Sequence, residues 1–419
     1  MKLRNYGLVT AGYWAFTITD GALRMLVLLH FNELGYSPVA IAFLFLAYEF
    51  MGIVTNLLGG WVGARRGLNR TLAVGLGVQI VALVALTFES PSWERWRSVI
   101  FVMGLQALSG VAKDLTKMSS KSAVKTVAGD GSLFRLVAIL TGSKNALKGV
   151  GFFVGAALLS WIGYDGALWA MATALAVTLV GLLVFLNEDI GRSKKKPPFR
   201  SVSSKSSAIN RLSVARFFLF GSRDIWFVVA LPVFLSDEFA WSTEGVGGFL
   251  ALWVIGYGIV QSFAPKLLAR LGAPDEVTSA RHAALALAVV TAAIAGLVSA
   301  DTVVEVAVVG GLVVFGAVFA LNSALHSFLV LAFSTEDEVA LDVGFYYSAN
   351  AAGRLVGTLL SGLLYLWGDL SAALWGSTAF VVLSWLSSLR LPALPIATDA
   401  PRGGQVTPSC AAAACPQGD

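Results

Sequence analysis

Leu140-Thr141-Gly142-Ser143-Lys144-Asn145-Ala146-Leu147-Lys148-Gly149-Val150-Gly151-Phe152-Phe153 lies inside an apolar run that extends from Phe134 to Gly163. Lys144 and Lys148 are four apart, so on a helix they share one face. An ionisable side chain at mid-membrane depth costs about 3 kcal/mol or more, so it normally faces a cavity and has a job there. Two ammonium groups on one face repel unless something negative comes between them. Gly142, Gly149 and Gly151 allow close helix approach or local unwinding. The stretch therefore predicts an anion site inside a membrane. The competing reading has both lysines snorkelling to the membrane surface, which apolar sequence on both sides disfavours. Gly142-Ser143-Lys144 does not complete a nucleotide-binding loop, because the earlier glycine of G-x-x-x-x-G-K-[ST] and a preceding strand are both lacking.

The surrounding chain fits that reading. Its 419 residues are 57% hydrophobic and 13% charged, with net charge +5, and the mean hydropathy is +0.76. These values predict an all-α integral membrane protein. About twelve apolar spans are expected, near 7–31, 38–61, 71–89, 98–118, 134–162, 165–186, 212–235, 245–265, 281–300, 303–331, 343–367 and 371–391. Alternate loops on the side of Lys2 and Arg4 hold most of the basic residues, including Arg65, Arg66, Arg70, Lys194, Lys195, Lys196, Lys266 and Arg270. The opposite loops hold only Arg95 and Arg97. This bias predicts a multi-pass protein of the cell's inner (plasma) membrane with both termini cytoplasmic. The N-terminal apolar run is broken by Asp20 and Arg24, unlike a cleavable signal.

The longest polar gap, 187–211, falls mid-chain and reads as a cytoplasmic linker. The expected organisation is a six-helix half over 1–190, a basic linker over 191–211, a second six-helix half over 212–391 and a disordered cytoplasmic tail over 392–419. Cys410 and Cys415 sit in that tail and form no metal or disulfide pattern. The halves are weakly repeated. Met51-Gly52-Ile53-Val54 matches Tyr257-Gly258-Ile259-Val260, and Asp20 has a counterpart in Asp224. Two such repeats suggest alternating access with a site between them.

Charges within the spans supply the candidate site. Asp20 and Arg24, four apart, are expected to pair, either as a structural ion pair or as part of a ligand site. Lys113, Lys117, Lys121 and Lys125 form a stripe at every fourth residue. Lys113 is deep enough to work in the site, and Lys121 and Lys125 are expected at the headgroups. Arg223 and Arg354 fall near mid-depth, and arginine forks two hydrogen bonds onto a phosphate-like group. The substrate-binding candidates are thus Arg24, Lys113, Lys144, Lys148, Arg223 and Arg354, suited to an anionic small molecule. Glu49, Asp20 and Asp114 are the candidate proton-coupling carboxylates, Glu49 being equally a partner for Arg24. No metal site, nucleotide loop or hydrolase motif is present, so neither an enzyme nor a cofactor is expected, and nothing points to nucleic acid.

Gly60-Trp61-Val62-Gly63-Ala64-Arg65-Arg66-Gly67-Leu68-Asn69-Arg70 resembles the major facilitator signature G-x-L-x-D-R-x-G-R-[KR]. Gly60, Arg65, Gly67 and Arg70 keep its shape, while Ala64 replaces the aspartate that latches cytoplasmic helix ends in the family. Longer blocks are similar to the ArsJ-type organoarsenical efflux permeases of that superfamily. They begin at Tyr13-Trp14-Ala15-Phe16-Thr17, Ala107-Leu108-Ser109-Gly110, Ala138-Ile139-Leu140-Thr141, Arg223-Asp224-Ile225-Trp226 and Val246-Gly247-Gly248-Phe249. The resemblance implies a major facilitator fold and export of 1-arseno-3-phosphoglycerate; exchange for protons and a monomeric state are further expectations. It further implies a glyceraldehyde-3-phosphate dehydrogenase as functional partner and arsenate resistance as the outcome. An organophosphate or inorganic anion exchanger of the same fold is the alternative, and a non-transporting sensor or enzyme a more distant one.

Overall fold

The computed structural model describes residues 2–36, 38–90, 92–127, 132–186, 206–335 and 338–394. Among these the chain forms eleven helices and no strand. They are α1 (Lys2–Glu33), α2 (Pro38–Arg66), α3 (Leu68–Leu86), α4 (Arg95–Val127), α5 (Leu133–Phe185), α6 (Ser207–Phe227), α7 (Ala230–Asp237), α8 (Thr243–Arg270), α9 (Glu276–Ser299), α10 (Val304–Phe333) and α11 (Val339–Ser388). α5 and α11 are each two membrane crossings. The first breaks at Gly163, with φ 72°, and the second at Gly368 and Asp369, the latter with φ 54°. A backbone at positive φ cannot continue a right-handed helix. α6 and α7 together make one crossing, so twelve spans result, as the apolar segments predict.

The turn in α5 can be followed through its contacts. Leu136 near its start accepts a hydrogen bond from Tyr6, and Leu182 near its end packs on Gly12. At the break between them Tyr164 stacks on His30, at the other end of α1. The face holding the start of α1 and the ends of α5 and α6 that flank the linker is the linker face, the opposite one the far face. Trp161 and Trp367, 80% and 89% exposed, stand at the breaks on the far face, where an aromatic belt belongs.

Apolar packing divides in three. One core lies in α1–α5 and takes in Ala340 and Leu341 of α11, a second lies within α6–α11, and a third joins the halves near the linker face through Tyr13, Met118, Leu140, Leu212, Leu325, Val343 and Tyr347. Lipid tails are as apolar as a leucine, so association within a bilayer relies on close backbone approach. Two seams between the halves supply it. A Cβ on Gly258 of α8 would lie 2.4 Å from the Ala146 nitrogen of α5, and one on Gly142 2.4 Å from the Gly258 carbonyl. On the other side, a Cβ on Gly60 of α2 would lie 2.7 Å from the Ala340 carbonyl, and one on Gly344 of α11 2.5 Å from that of Asn56. The α2–α11 and α8–α5 seams are the same contact seen from each half, in keeping with the repeat linking Gly52 to Gly258.

The expected boundaries need two corrections. Residues 207–211, read as linker, are the first turn of α6, with Ser206 as its cap position; residues 191–205 of the linker, and the tail from residue 395 with its two cysteines, lie outside the described residues. The fourth span, read as 98–118, continues as helix to Val127. That extension carries the lysine stripe further into the protein than the apolar pattern suggests.

Candidate functional site

Between the halves lies a cavity of about 110 Å³, room for a small molecule of several heavy atoms. Eight cationic side chains line it against three carboxylates, Asp20, Glu49 and Asp114. Access is graded along the axis. Arg24, Glu49 and Arg354 keep 24–30% of their side-chain surface exposed, whereas Lys121, towards the linker face, is 5% exposed.

Toward the far face, carboxylates and cations interlock. Glu49 of α2 accepts from Arg24 of α1 at 3.0 Å and lies 3.8 Å from Lys113 of α4. It also meets Arg354 of α11 at 3.3 Å, so one carboxylate ties the two halves. Arg354 reaches on to Asp224 at 2.9 Å, and Asp224 pairs with Arg223 at 2.5 Å. Asp20 accepts the Tyr48 hydroxyl and lies 3.5 Å from Lys148. Tyr48 is sandwiched by charge, with Lys113 3.7 Å and Arg24 4.9 Å from its ring centre. The intrahelical Asp20–Arg24 pair anticipated from spacing is thus replaced by pairs to other helices. Glycine packing is the cause. Gly21 and Gly151 bring α1 and α5 so close that a Cβ on Gly21 would lie 2.5 Å from the Lys148 carbonyl, which delivers Lys148 to Asp20. Gly221, Gly353 and Gly357 do the same for α6 and α11, which delivers Arg354 to Asp224. The two buried pairs, Asp20–Lys148 and Asp224–Arg354, therefore correspond under the internal repeat.

Nearer the linker face the chemistry changes. Lys144 donates to Asn145 Oδ1 at 3.2 Å, and Asn145 donates to Gln261 of the other half at 2.6 Å. Gln261 donates to Ser323 Oγ at 3.1 Å, which also receives Arg216 Nη1 at 3.2 Å. Arg216 Nε donates to Asn350 Oδ1 at 2.8 Å, and its guanidinium lies 3.8 Å from the Phe220 ring centre. Lys121 donates to the Tyr347 hydroxyl. Asp114 pairs with Lys117 and lies against Gly52.

All six substrate-binding candidates fall in or beside this cavity, although Arg24 acts through Glu49. Lys121 and Lys125 both turn onto protein rather than outward. Lys121 is buried within the cavity, and Lys125 donates to the carbonyls of Leu331 and Ser334 at the C-terminal end of α10. Long α4 carries both across to the other half. Arg216, 2% exposed, joins the site although it is not among the six candidates; its signal in the sequence is an arginine embedded in Val214-Ala215-Arg216-Phe217-Phe218. Gly60, Arg65, Gly67 and Arg70, the signature residues expected to form a conformational-switch loop, lie apart from the cavity, on the linker face. Gly60 forms the seam to α11, Arg65 stacks on Trp61 at 4.8 Å, Gly67 turns between α2 and α3 with φ 90°, and Arg70 is exposed. Ala64, in the place of the family's aspartate, is buried and apolar.

Comparison with known proteins agrees with this architecture. A bacterial homologue of the iron transporter ferroportin in an outward-facing state aligns over 92% of this chain and 99% of its own, with TM-score 0.75 and 15% identity. The human organic anion transporter MFSD10 (TETRAN) aligns over 92% and 99%, with TM-score 0.73 and 15% identity. The proton:xylose symporter XylE aligns over 93% and 96%, with TM-score 0.75 and 12% identity. At these identities the likeness concerns the fold alone. No curated protein matches the sequence. The family model described as Major Facilitator Superfamily matches residues 9–272. The chain therefore belongs to the major facilitator superfamily and is a multi-pass membrane transporter working by alternating access, not an enzyme.

Proposed function

We propose that this transporter exports a small organic polyanion, the phosphoester 1-arseno-3-phosphoglycerate, and so confers arsenate resistance. The observation that carries the reading is the excess of cations over carboxylates in the cavity, contributed by both halves. A substrate with a phosphate at one end and an arsenate ester at the other needs several charge-assisted hydrogen bonds, which Lys113, Lys144, Lys148, Arg223 and Arg354 can supply. The resemblance to the organoarsenical permeases supplies the substrate's identity, and with it a glyceraldehyde-3-phosphate dehydrogenase as its source. The linker face is cytoplasmic in this reading, the membrane is the inner one, and the protein works as a monomer. The described conformation is then closed to the cytoplasm.

Glu49 is the proposed proton carrier. It joins Arg24 and Lys113 of one half to Arg354 of the other, so its protonation would release a tie between the halves. The second reading is an anion exchanger. It is favoured by the ion pairing of Asp20, Glu49, Asp114 and Asp224, each of which already has a cation partner.

Uptake into inside-out vesicles separates these. One set receives radiolabelled arsenate alone. The other also receives the dehydrogenase, glyceraldehyde 3-phosphate and NAD. Accumulation only in the second set, abolished by an uncoupler, supports the proton-coupled phosphoester exporter. Accumulation in both sets indicates a general oxyanion carrier. Uptake that persists with the uncoupler but requires a phosphate ester on the other side indicates exchange.

A further inference from the structure

Resting on the anion-transport reading, the linker-side end of the cavity resolves further. Lys121, Lys144 and Arg216 come from α4, α5 and α6, and among the described residues each has only neutral hydrogen-bond partners. Lys121 is within electrostatic reach of Arg216 and Lys117, and Lys144 within reach of Lys148, Lys121 and Lys117 and, to a smaller extent, of Asp20. The far-side cations, by contrast, are matched by Glu49, Asp20 and Asp224. Two further groups line the same cavity. The hydroxyls of Tyr13 and Thr141 are buried without a hydrogen-bond partner among the described residues, and Tyr13 is 1% exposed. Orphaned donors and clustered like charges at one place both cost free energy unless an acceptor-rich anion joins them. The relay Lys144–Asn145–Gln261–Ser323–Arg216 fixes the spacing of two of the cations with neutral amides, which keep their charge available.

We propose that Lys121, Lys144 and Arg216, with Tyr13 and Thr141, form a seat for the dianionic phosphate or arsenate end of the substrate. Because Arg216 belongs to one half and the lysines to the other, filling the seat also draws the linker face closed. Unfilled, Lys121 and Arg216 repel across the interface and favour opening. The far-side cluster then takes the substrate's second group, which competes with Glu49 for Arg354 and Lys113. This division makes the cavity selective for a molecule with a terminal tetrahedral dianion over a carboxylate of the same skeleton.

The test uses the full chain in lipid nanodiscs, with 3-phosphoglycerate and glycerate as probes that differ only in the phosphate. The wild type is expected to bind 3-phosphoglycerate at least 10-fold more tightly than glycerate. Lys144→Gln and Arg216→Gln should each weaken 3-phosphoglycerate at least 10-fold and leave glycerate within 2-fold, while Lys266→Gln on the linker face changes neither. Arg216 is buried and its loss endangers folding. Lys144→Gln, which strands no carboxylate, decides the matter if Arg216→Gln does not reach the membrane. Spin labels at Arg70→Cys and Leu271→Cys, with Cys410 and Cys415 replaced by serine, should show a shorter distance on adding 3-phosphoglycerate, and Arg216→Gln or Lys144→Gln should remove that response. If wild type discriminates between the probes and Lys144→Gln discriminates equally well, the seat is elsewhere and the proposal falls while the anion-transport reading stands. If wild type binds neither 3-phosphoglycerate nor inorganic phosphate, the anion-transport reading falls with it.

Discussion

At the scale of single residues, the two lysines of the opening stretch separate into different roles. Lys148 sits 3.5 Å from Asp20, so Lys148→Ala strands a buried carboxylate and will lower both stability and transport. Among the described residues, the one hydrogen-bond partner Lys144 would lose is Asn145. Lys144→Ala should therefore leave folding and membrane insertion intact. Substrate affinity should fall by about 10- to 150-fold, the equivalent of a charged hydrogen bond at about 1.5–3 kcal/mol. Vesicle uptake at matched protein level, with thermal unfolding alongside, checks this; full transport by Lys144→Ala would remove it from the site. Glu49→Gln tests the coupling. It keeps the shape but not the charge that holds Arg24, Lys113 and Arg354. Export by this variant should lose its pH dependence, and a profile parallel to wild type would exclude Glu49 as carrier. The presence of these charges was legible in the sequence, since an ion inside an apolar run declares itself. Their pairing was not. Asp20 has Arg24 one turn along its own helix, but its partner arrives on α5, because glycine contacts set the helix spacing and spacing along one strand of text cannot report them.

Among elements, the twelve spans were legible from apolar length, and the turns inside α5 and α11 came with them because Gly163 and Gly368-Asp369 interrupt the apolar runs. α4 was not, because six of its last nine residues are polar and the segment is still helical. Composition marks where a membrane ends, and a helix that continues by packing on protein passes that mark. The glycine seams can be tested directly. A methyl at Gly258 would meet the Ala146 backbone nitrogen at 2.4 Å, and backbone cannot swing aside as a side chain does. Overpacking of this kind costs about 1–3 kcal/mol, which shifts a two-state balance by roughly 5- to 150-fold. Gly258→Ala should therefore hold the linker face open and slow transport by that order, with binding from the linker side preserved. Gly77→Ala, with nothing within 4 Å, is the matched control and should behave as wild type. Equal transport by both would mean that the α5–α8 seam does not tighten during the cycle.

For the whole molecule, the linker face is held by three kinds of contact in series. Glycine seams bring backbones together, an apolar core joins the halves, and Lys125 spans the gap to the carbonyls of Leu331 and Ser334. The last of these places a cation at the C-terminal end of α10, where the helix dipole is negative and the final carbonyls lack partners. It also offers a replacement for the signature aspartate that Ala64 has lost, because a lysine from one half now latches a helix end of the other. Alternating access requires that this latch break once per cycle, so its strength sets the balance of states. Lys125→Met keeps the length of the side chain and removes the charge, worth about 0.3–2 kcal/mol at a helix C-terminus. It should therefore move the population toward the linker-open state by a factor of roughly 2 to 30. A cysteine at Ala351, which lines the cavity, reports this directly once Cys410 and Cys415 are replaced by serine. In the Lys125-containing protein it should react slowly with a membrane-impermeant thiol reagent applied from the linker face and quickly from the far face. In Lys125→Met the linker-side rate should rise by that same factor while the far-side rate falls. Unchanged rates from both faces would mean that the seams and the shared core alone close the protein, and that Lys125 rides on the closure without setting it.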